Sequence, residues 1–222
     1  PRKPSNRMQR LRLRFSRGAR LKYISHLDLI RLWHRAFRRA GLELAYSEGF
    51  NPHPRIQIAA PLPLGVTGES ELMDVVFAKE YMPQSVMLSV NAQLPPGIKI
   101  EQIMQVALTA PSLQGQVRRA HYRVEIPESD ASRQKIESLI TSLLALETLP
   151  WTQKREEKVR SFDLRCQIGG IWIEEINPSC IIVGMDLQCD SGGSGRPEQV
   201  VKALGLPAPA SVHRIKLVVE AG

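Results

Sequence analysis

Residues 25–41, SHLDLIRLWHRAFRRAG, decide the fold at the start of this 222-residue chain. Ser25 and Asp28 form an S-x-x-D variant of the capping box, in which the hydroxyl accepts from a free amide at the helix start. Arg38 and Gly41 are typical of a helix end, because cations suit the negative terminus and glycine adopts the left-handed cap conformation. The pattern therefore predicts one helix with both ends marked.

This predicted helix has an apolar side and a cationic side when its residues are spaced by about 100°. The apolar side holds eight residues: Leu27, Leu29, Ile30, Leu32, Trp33, Ala36, Phe37 and Ala40. Arg31, Arg35 and Arg38 fall in one narrow row opposite, with Arg39 beside it. Because the apolar side must pack on a sheet, we expect the arginines to face solvent or a partner.

Residues 46–56, YSEGFNPHPRI, predict a rigid loop after the helix. Two prolines fix the backbone around His53, and Gly49 permits a positive φ. One interpretation is a packed hairpin turn in which Phe50 fills the core and His53 is a hydrogen-bonded cap. The other is an exposed array that binds single-stranded nucleic acid by stacking and charge. Its members would be Tyr46, Phe50, Asn51, His53 and Arg55.

The flanking sequence extends this stretch into a complete unit. Alternating or apolar runs predict strands at residues 11–15, 21–24, 42–46, 55–60, 71–78 and 97–106, and a second helix is predicted at 83–94. The order of strand, helix, strand, strand, helix, strand is that of a ferredoxin-like unit.

Residues 107–117 are small, polar and interrupted by Pro and Gly, which predicts a linker. After it, strands are predicted at 121–126, 158–165, 168–175, 180–187 and 212–220, and helices at 132–146 and 197–204. We therefore expect an α+β fold of two ferredoxin-like (βαββαβ) units in tandem, with mostly antiparallel sheets and helices on one face. The N-terminal basic unit would be residues 1–106 and the C-terminal unit residues 118–222.

Positive charge is concentrated in the first sixty residues. They hold fourteen Lys or Arg against three acidic residues, a local net charge of +11, whereas the whole chain carries +8. A solvated helix face is one explanation, and a polyanionic partner is the other. Arginine predominates here over lysine and offers a planar fork for phosphate. We expect Arg31, Arg35, Arg38 and Arg39 to bind nucleic acid.

Cysteine usage and hydropathy indicate a cytoplasmic protein. Cys166, Cys180 and Cys189 form no CxxC pair, which suits a reducing compartment and argues against a metal site built from these thiolates alone. No stretch has the apolar length of a membrane span, and residues 1–7 lack the hydrophobic region of a signal peptide. We expect no metal site and no membrane association. A start at Pro1 instead of Met is expected of a fragment or a trimmed chain.

Histidines supply the candidate catalytic residues. His26 and His53 could cleave a phosphodiester by general acid–base catalysis without a metal, while arginines hold the anion. Capping or hydrogen-bonded histidines are the alternative. The glycine-rich run at residues 190–197, DSGGSGRP, lacks the Lys-Ser/Thr ending of a Walker loop, so we expect a flexible connection there.

The helix and loop motifs at residues 25–41 and 46–56, followed by APLPLG at 60–65, resemble the radical-SAM-linked bacterial family. Its domain of unknown function also occurs fused behind radical SAM and cobalamin-binding modules. The resemblance extends through Asn91 and the PPG at 95–97.

A shorter part of the same resemblance lies in the second half of the chain, in KVRSFDLR at residues 158–165. It departs from the family at residues 165–168, Arg-Cys-Gln-Ile, where family members commonly continue into an Arg-Pro-Tyr-like segment.

The resemblance implies a role beside a radical SAM enzyme. This chain has no CxxxCxxC motif, so it would hold no cofactor itself, and the iron–sulfur cluster and S-adenosylmethionine are expected on the partner. Family members are also similar in often being encoded near genes for ribosomal proteins and a ribonuclease, which implies an RNA-related role.

Charge and resemblance together lead to one main expectation. The chain would be an RNA-binding accessory protein that presents tRNA or rRNA to a radical SAM enzyme for modification or processing, without catalysis of its own. One alternative is a metal-independent endoribonuclease that uses His26 or His53. The other is a non-catalytic protein adaptor for the radical SAM partner.

Overall fold

The computed structural model describes residues 7–127, 133–155 and 158–220. Within them the chain forms five α-helices and ten β-strands, and none of those helices has the length and apolarity to cross a membrane. The strand pairs are mostly antiparallel, which confirms the predicted α+β class. The chain divides into two compact units, one running to Val117 with the chain end from Val219, and the other Arg118–Val218. The predicted domain division, with a linker at residues 107–117, stays a prediction.

The first unit follows the predicted order of elements up to its fourth strand. Its elements are β1 (Gln9–Arg17), α1 (His26–Arg39), β2 (Ile56–Ile58), β3 (Thr67–Phe77), α2 (Pro83–Asn91), β4 (Ile98–Val106) and α3 (Leu113–Gln116). The strands lie in the order β4-β1-β3-β2, and each neighbouring pair is antiparallel. The short helix α3 lies in the segment predicted as a linker.

The core of this unit lies between one face of the sheet and helices α1 and α2. Every second residue of β1 points into it, and the ring of Phe15 meets that of Trp33 edge-on at 5.1 Å. Trp33 stacks on Phe37 at 5.8 Å. The predicted apolar side of α1 is confirmed for most of its residues, but it is wrong for Leu27, which is 66% exposed. Leu27 lies in the first turn of α1.

Both ends of α1 are as predicted. The Ser25 hydroxyl accepts a hydrogen bond from the Asp28 amide at 3.1 Å, so it satisfies one of the free donors at the helix start. At the other end Gly41 has φ +74°, in the left-handed region that glycine adopts without strain. These local signals fix the length of the helix that carries the arginine row.

Two predicted strands of the first unit are wrong. Residues 21–24 do not form a strand, because the Leu21 and Ile24 amides donate to Gly18 and Leu21 carbonyls in successive tight turns. Residues 42–46 make only isolated bridges, Leu44 with Phe77 and Tyr46 with Pro54. Proline has no amide hydrogen, so a regular ladder cannot continue at that position.

A buried ion cluster lies on the sheet face opposite the helices. Asp74, 3% exposed, accepts from Arg10 Nε at 2.9 Å and from Arg12 Nε at 2.8 Å. Arg10 also donates to the carbonyls of Ala110 and Pro111 at 2.7 and 3.0 Å. The cluster therefore ties β1 and β3 to the segment predicted as a linker, which lies against the sheet.

The second unit has a four-stranded sheet in the order β10-β5-β9-β8 and a separate hairpin. Its elements are β5 (Val117–Pro127), α4 (Arg133–Leu144), β6 (Pro150–Arg155), β7 (Lys158–Asp163), β8 (Ile168–Asn177), β9 (Cys180–Gln188), α5 (Pro197–Ala203) and β10 (Ser211–Val219). These match the predicted elements except for β6, which was not predicted. Ser132, the first residue of the predicted helix, lies outside the described residues.

The hairpin of β6 and β7 corrects the predicted strand at residues 158–165, which ends two residues early. The Asp163 carboxylate accepts from the amides of Leu149 and Arg165, both at 2.8 Å. This local pairing turns the chain into a short 3-10 helix, Arg165–Gln167. The family motif at residues 158–165 therefore covers one hairpin strand and the turn after it.

Replacing the buried carboxylate tests the importance of the ion cluster. Asp74→Asn should lower the free energy of unfolding by about 3 to 5 kcal/mol, because two guanidinium groups lose their buried counter-ion. Urea denaturation measures the change. The control is Glu101→Gln, which removes the exposed pair with Lys99 and should cost no more than about 1 kcal/mol. Equal effects of the two variants would contradict a structural role for the cluster.

Candidate functional site

The arginine row lies on the exposed side of α1. Arg31, Arg35, Arg38 and Arg39 are all exposed, because Trp33 and its apolar neighbours turn the opposite side of the helix into the core. Arg31 to Arg38 spans roughly 10 Å along the helix axis. Several guanidinium forks on one rigid face can therefore donate to the oxygens of neighbouring phosphates.

One carboxylate partly neutralises this row. Asp28 accepts from Arg31 Nη1 at 3.0 Å, and in the described part of the chain it is the one acidic side chain paired with the row. The Ser25 hydroxyl, followed by Arg31 and Arg35, holds the pKa of Asp28 below its usual range. Asp28 therefore stays ionised at neutral pH. Among the described residues, Arg35, Arg38 and Arg39 form no ion pair and face solvent.

The loop at residues 46–55 is braced by its own hydrogen bonds. The Ser47 amide donates to the His53 carbonyl at 2.9 Å, and the His53 amide donates to the Ser47 hydroxyl at 3.0 Å. Gly49 has φ +116°, which other residues rarely adopt. The tip residue Phe50 is fully exposed, so the interpretation in which it fills the core is wrong. The loop instead presents an aromatic ring to solvent.

A hydrogen bond joins the loop to the helix. The imidazole Nε2 of His34 and the hydroxyl of Tyr46 lie 3.1 Å apart, and the two rings meet edge-on at 6.4 Å. His34 follows Arg31 by three residues and precedes Arg38 by four, so it lies on the same side of α1 as both. The row and residues 46–55 therefore form one continuous surface, called the basic surface below.

His34 is the residue of this surface that sequence reasoning missed. Its spacing from Arg31 and Arg38 was a usable signal, but its partner Tyr46 lies twelve residues away and the contact depends on the path of the loop. Arg55 is exposed at the other end of the loop, where Nη1 lies 4.0 Å from the Met8 sulfur. Asn51 is exposed near the tip.

The two candidate catalytic histidines are not paired. His26 is the first residue of α1 and His53 lies in the loop, and both are exposed. Within the residues that the structure describes, no hydrogen bond or ion pair links their imidazoles. A catalytic role for either residue stays a prediction.

The number of basic residues in the first unit overstates the positive charge that a partner could contact. Arg10 and Arg12 are held by Asp74 inside the unit. Arg17 is 1% exposed and donates to the carbonyls of Pro63 and Val66 at 3.2 and 2.7 Å. Among the described residues 7–60, four of the seven exposed arginines lie on α1.

Three solved structures are similar to this chain. They are a Cbf5-Nop10-Gar1 complex (TM-score 0.49, 9% identity), an archaeal box H/ACA sRNP Nop10-Cbf5 complex (0.45, 11%) and an H/ACA RNP bound to a substrate RNA containing 2'-deoxyuridine (0.45, 11%). The matches cover 94%, 93% and 93% of this chain. It spans about half of the matched chains, 48%, 46% and 46% of their lengths.

No curated protein matches the sequence. Residues 10–197 match the family described as "Uncharacterized protein conserved in bacteria (DUF2344)". The match includes α1, the loop after it and the motif at residues 158–165. Because it covers most of the chain, the protein belongs to this family of uncharacterized bacterial proteins.

Proposed function

We propose that this protein binds RNA through the basic surface and presents it to a radical SAM enzyme, with tRNA or rRNA as the substrate. The observation that carries the proposal is the pairing of an exposed arginine row with a fully exposed aromatic ring on a braced loop. Guanidinium groups bind phosphates, and aromatic rings stack on unpaired bases. A surface with both favours an RNA that has a single-stranded element.

Rigidity of the surface supports the same proposal. The row lies on a helix anchored by buried aromatic rings, and the loop is held to that helix through His34 and Tyr46. Preorganised groups lose less conformational entropy on binding. Such an arrangement suits recognition of a defined RNA shape better than nonspecific attraction of a polyanion.

The radical SAM partner is proposed from the family resemblance of the helix and loop motifs. We place the iron–sulfur cluster and S-adenosylmethionine on that partner, since the three cysteines of this chain lack cluster spacing. This chain would supply binding and positioning. The partner would supply the radical chemistry.

The order of strands supports a tandem ferredoxin-like arrangement as part of the proposal. The sheet order β4-β1-β3-β2 of the first unit is matched by β10-β5-β9-β8 in the second. Each sheet has a helix after its first and third strands, as in β-α-β-β-α-β units. The hairpin of β6 and β7 would then be an insertion in the second unit.

Charge reversal of the row tests RNA binding. The variant R31E/R35E/R38E should bind bulk tRNA roughly 100-fold or more weakly, because three charge-assisted contacts become repulsive. Filter binding or fluorescence anisotropy at constant salt measures the affinity.

A charge-matched control separates the row from total charge. The variant K99E/K202E/K216E reverses three exposed cations elsewhere and should bind nearly as well as the wild type. Asp28→Asn should strengthen binding by up to about 5-fold, since it frees Arg31 from its ion pair. Equal loss in both triple variants would contradict a role for this row.

The exposed ring gives a second test. Phe50→Ala should weaken binding of RNA with an unpaired loop by about 5- to 100-fold and leave binding to a perfect duplex unchanged. Its melting temperature should match that of the wild type, because the ring has no core contacts to lose. Equal losses on both RNAs would rule out base stacking by Phe50.

A third test addresses the partner enzyme. The radical SAM enzyme of the same cell should co-purify with the native protein, and nuclease treatment should release it if RNA bridges the two. Association that survives nuclease and is lost in R31E/R35E/R38E would instead make the basic surface a protein-docking site. Absence of the enzyme under both conditions would overturn the proposed partnership.

A further inference from the structure

A tryptophan lies flat on the sheet of the second unit. Trp172 on β8 is paired with Gly184 on the neighbouring strand β9. A Cβ built on Gly184 would overlap the indole, so the ring rests directly on the glycine backbone. The residue is nevertheless 41% exposed. One face of the indole is therefore supported by the sheet, and the ring stays accessible to solvent.

Polar side chains surround this ring in two cross-strand rows. Gly184 is paired with Trp172 of β8 on one side and with Arg123 of β5 on the other. The Arg123 Nε donates to Glu174 at 2.7 Å. In the next row the imidazole of His121 meets the indole edge-on at 6.1 Å, with His121 Nε2 3.6 Å from Asp186. These contacts place donors and acceptors side by side around the ring.

Asp186 is itself held in place. Both of its carboxylate oxygens accept from Arg119 Nε at 2.8 Å, and Arg119 Nη2 donates to the Asp186 carbonyl at 3.0 Å. The charges beside the indole are thus largely balanced by ion pairs. A balanced set of donors and acceptors suits the edge of a nucleobase, whereas a phosphate would require a net positive site.

Beside the indole, on the same strand, the sheet surface has an empty space above Gly170, called the open step below. Gly170 precedes Trp172 by two residues, so both belong to the same face of the sheet, and Ile171 between them is buried on the other face. A Cβ built on Gly170 would meet no atom within 4 Å. The sheet surface is therefore lower at Gly170 than at the ring, and a planar ligand has space there.

We propose that Trp172 is a stacking platform for an unpaired nucleobase of RNA, with Gly170 leaving room beside it and His121 and Arg123 at its rim. This inference rests on the proposed function, since the ligand is RNA, but it assigns a second contact site that is separate from α1. An aromatic ring over a glycine also stabilises a sheet. That role alone explains neither the open step nor the organised polar rim.

Intrinsic fluorescence provides a direct readout. Trp33 is fully buried and Trp151 lies on the hairpin, whereas Trp172 is exposed to a stacking base. A short oligouridylate added to the full chain should quench the fluorescence, and Trp172→Phe should remove that quenching. Trp172→Ala should weaken oligouridylate binding by about 5- to 100-fold, and Trp172→Phe should restore most of the affinity because its ring can still stack.

Gly170→Thr is the variant that separates binding from stability. Its side chain enters open space and threonine suits a strand, so the melting temperature should not fall. The same side chain should occupy the step and weaken oligouridylate binding as much as Trp172→Ala does. Unchanged affinity in both Gly170→Thr and Trp172→Ala would overturn the platform.

The outcomes distinguish this inference from the proposed function. If R31E/R35E/R38E loses tRNA binding, the proposed function stands. If oligouridylate also fails to quench the fluorescence of the wild type, the platform is overturned. If oligouridylate quenches the fluorescence and R31E/R35E/R38E binds tRNA as well as the wild type does, the platform is supported and the role of the basic surface is overturned. Quenching by a protein partner but by no oligonucleotide would also overturn the platform.

Discussion

The packing of the first unit depends on the buried carboxylate of Asp74. Asp74 joins two arginines of β1 to β3, and Arg10 continues the contact to the carbonyls that follow β4. With that face closed by a polar cluster, the opposite face of the sheet is the one left for the apolar side of α1. The burial of Trp33 and Phe37 there fixes the rotation of the helix. The arginine row faces solvent as a consequence of this packing.

The rotation of α1 also places the arginine row beside the loop at residues 46–55. His34 is placed at the edge of α1, where its imidazole meets Tyr46 and holds the loop beside the arginines. Phe50 projects from this loop, in which the Ser47 amide donates to the His53 carbonyl and the His53 amide donates to the Ser47 hydroxyl. Exposing the aromatic ring therefore leaves neither of these two amides unpaired. The guanidinium groups of the row and the exposed ring of Phe50 thus lie on one braced surface before any ligand binds.

Sequence patterns predicted the structural features that depend on residues close together in the chain. The caps and faces of α1 follow from Ser25, Gly41 and the helical period. Contacts between distant segments could not be predicted in this way. The alternation in β1 is typical of a half-buried strand, but a segment about one hundred residues later covers Arg10. The contact of His34 with Tyr46 depends likewise on how a loop folds back, and the support of Trp172 by Gly184 depends on strand register.

Salt dependence shows whether the exposed arginines of α1 contact RNA phosphates. The most direct measurement is the dependence of tRNA affinity on salt for the wild type and for R31Q/R35Q/R38Q, which removes charge without adding repulsion. Each lost phosphate contact lowers the slope of log affinity against log salt by roughly 0.7 to 0.9. The account predicts a slope that is smaller by about 2 to 3 in the variant. Identical slopes for the two proteins would contradict it.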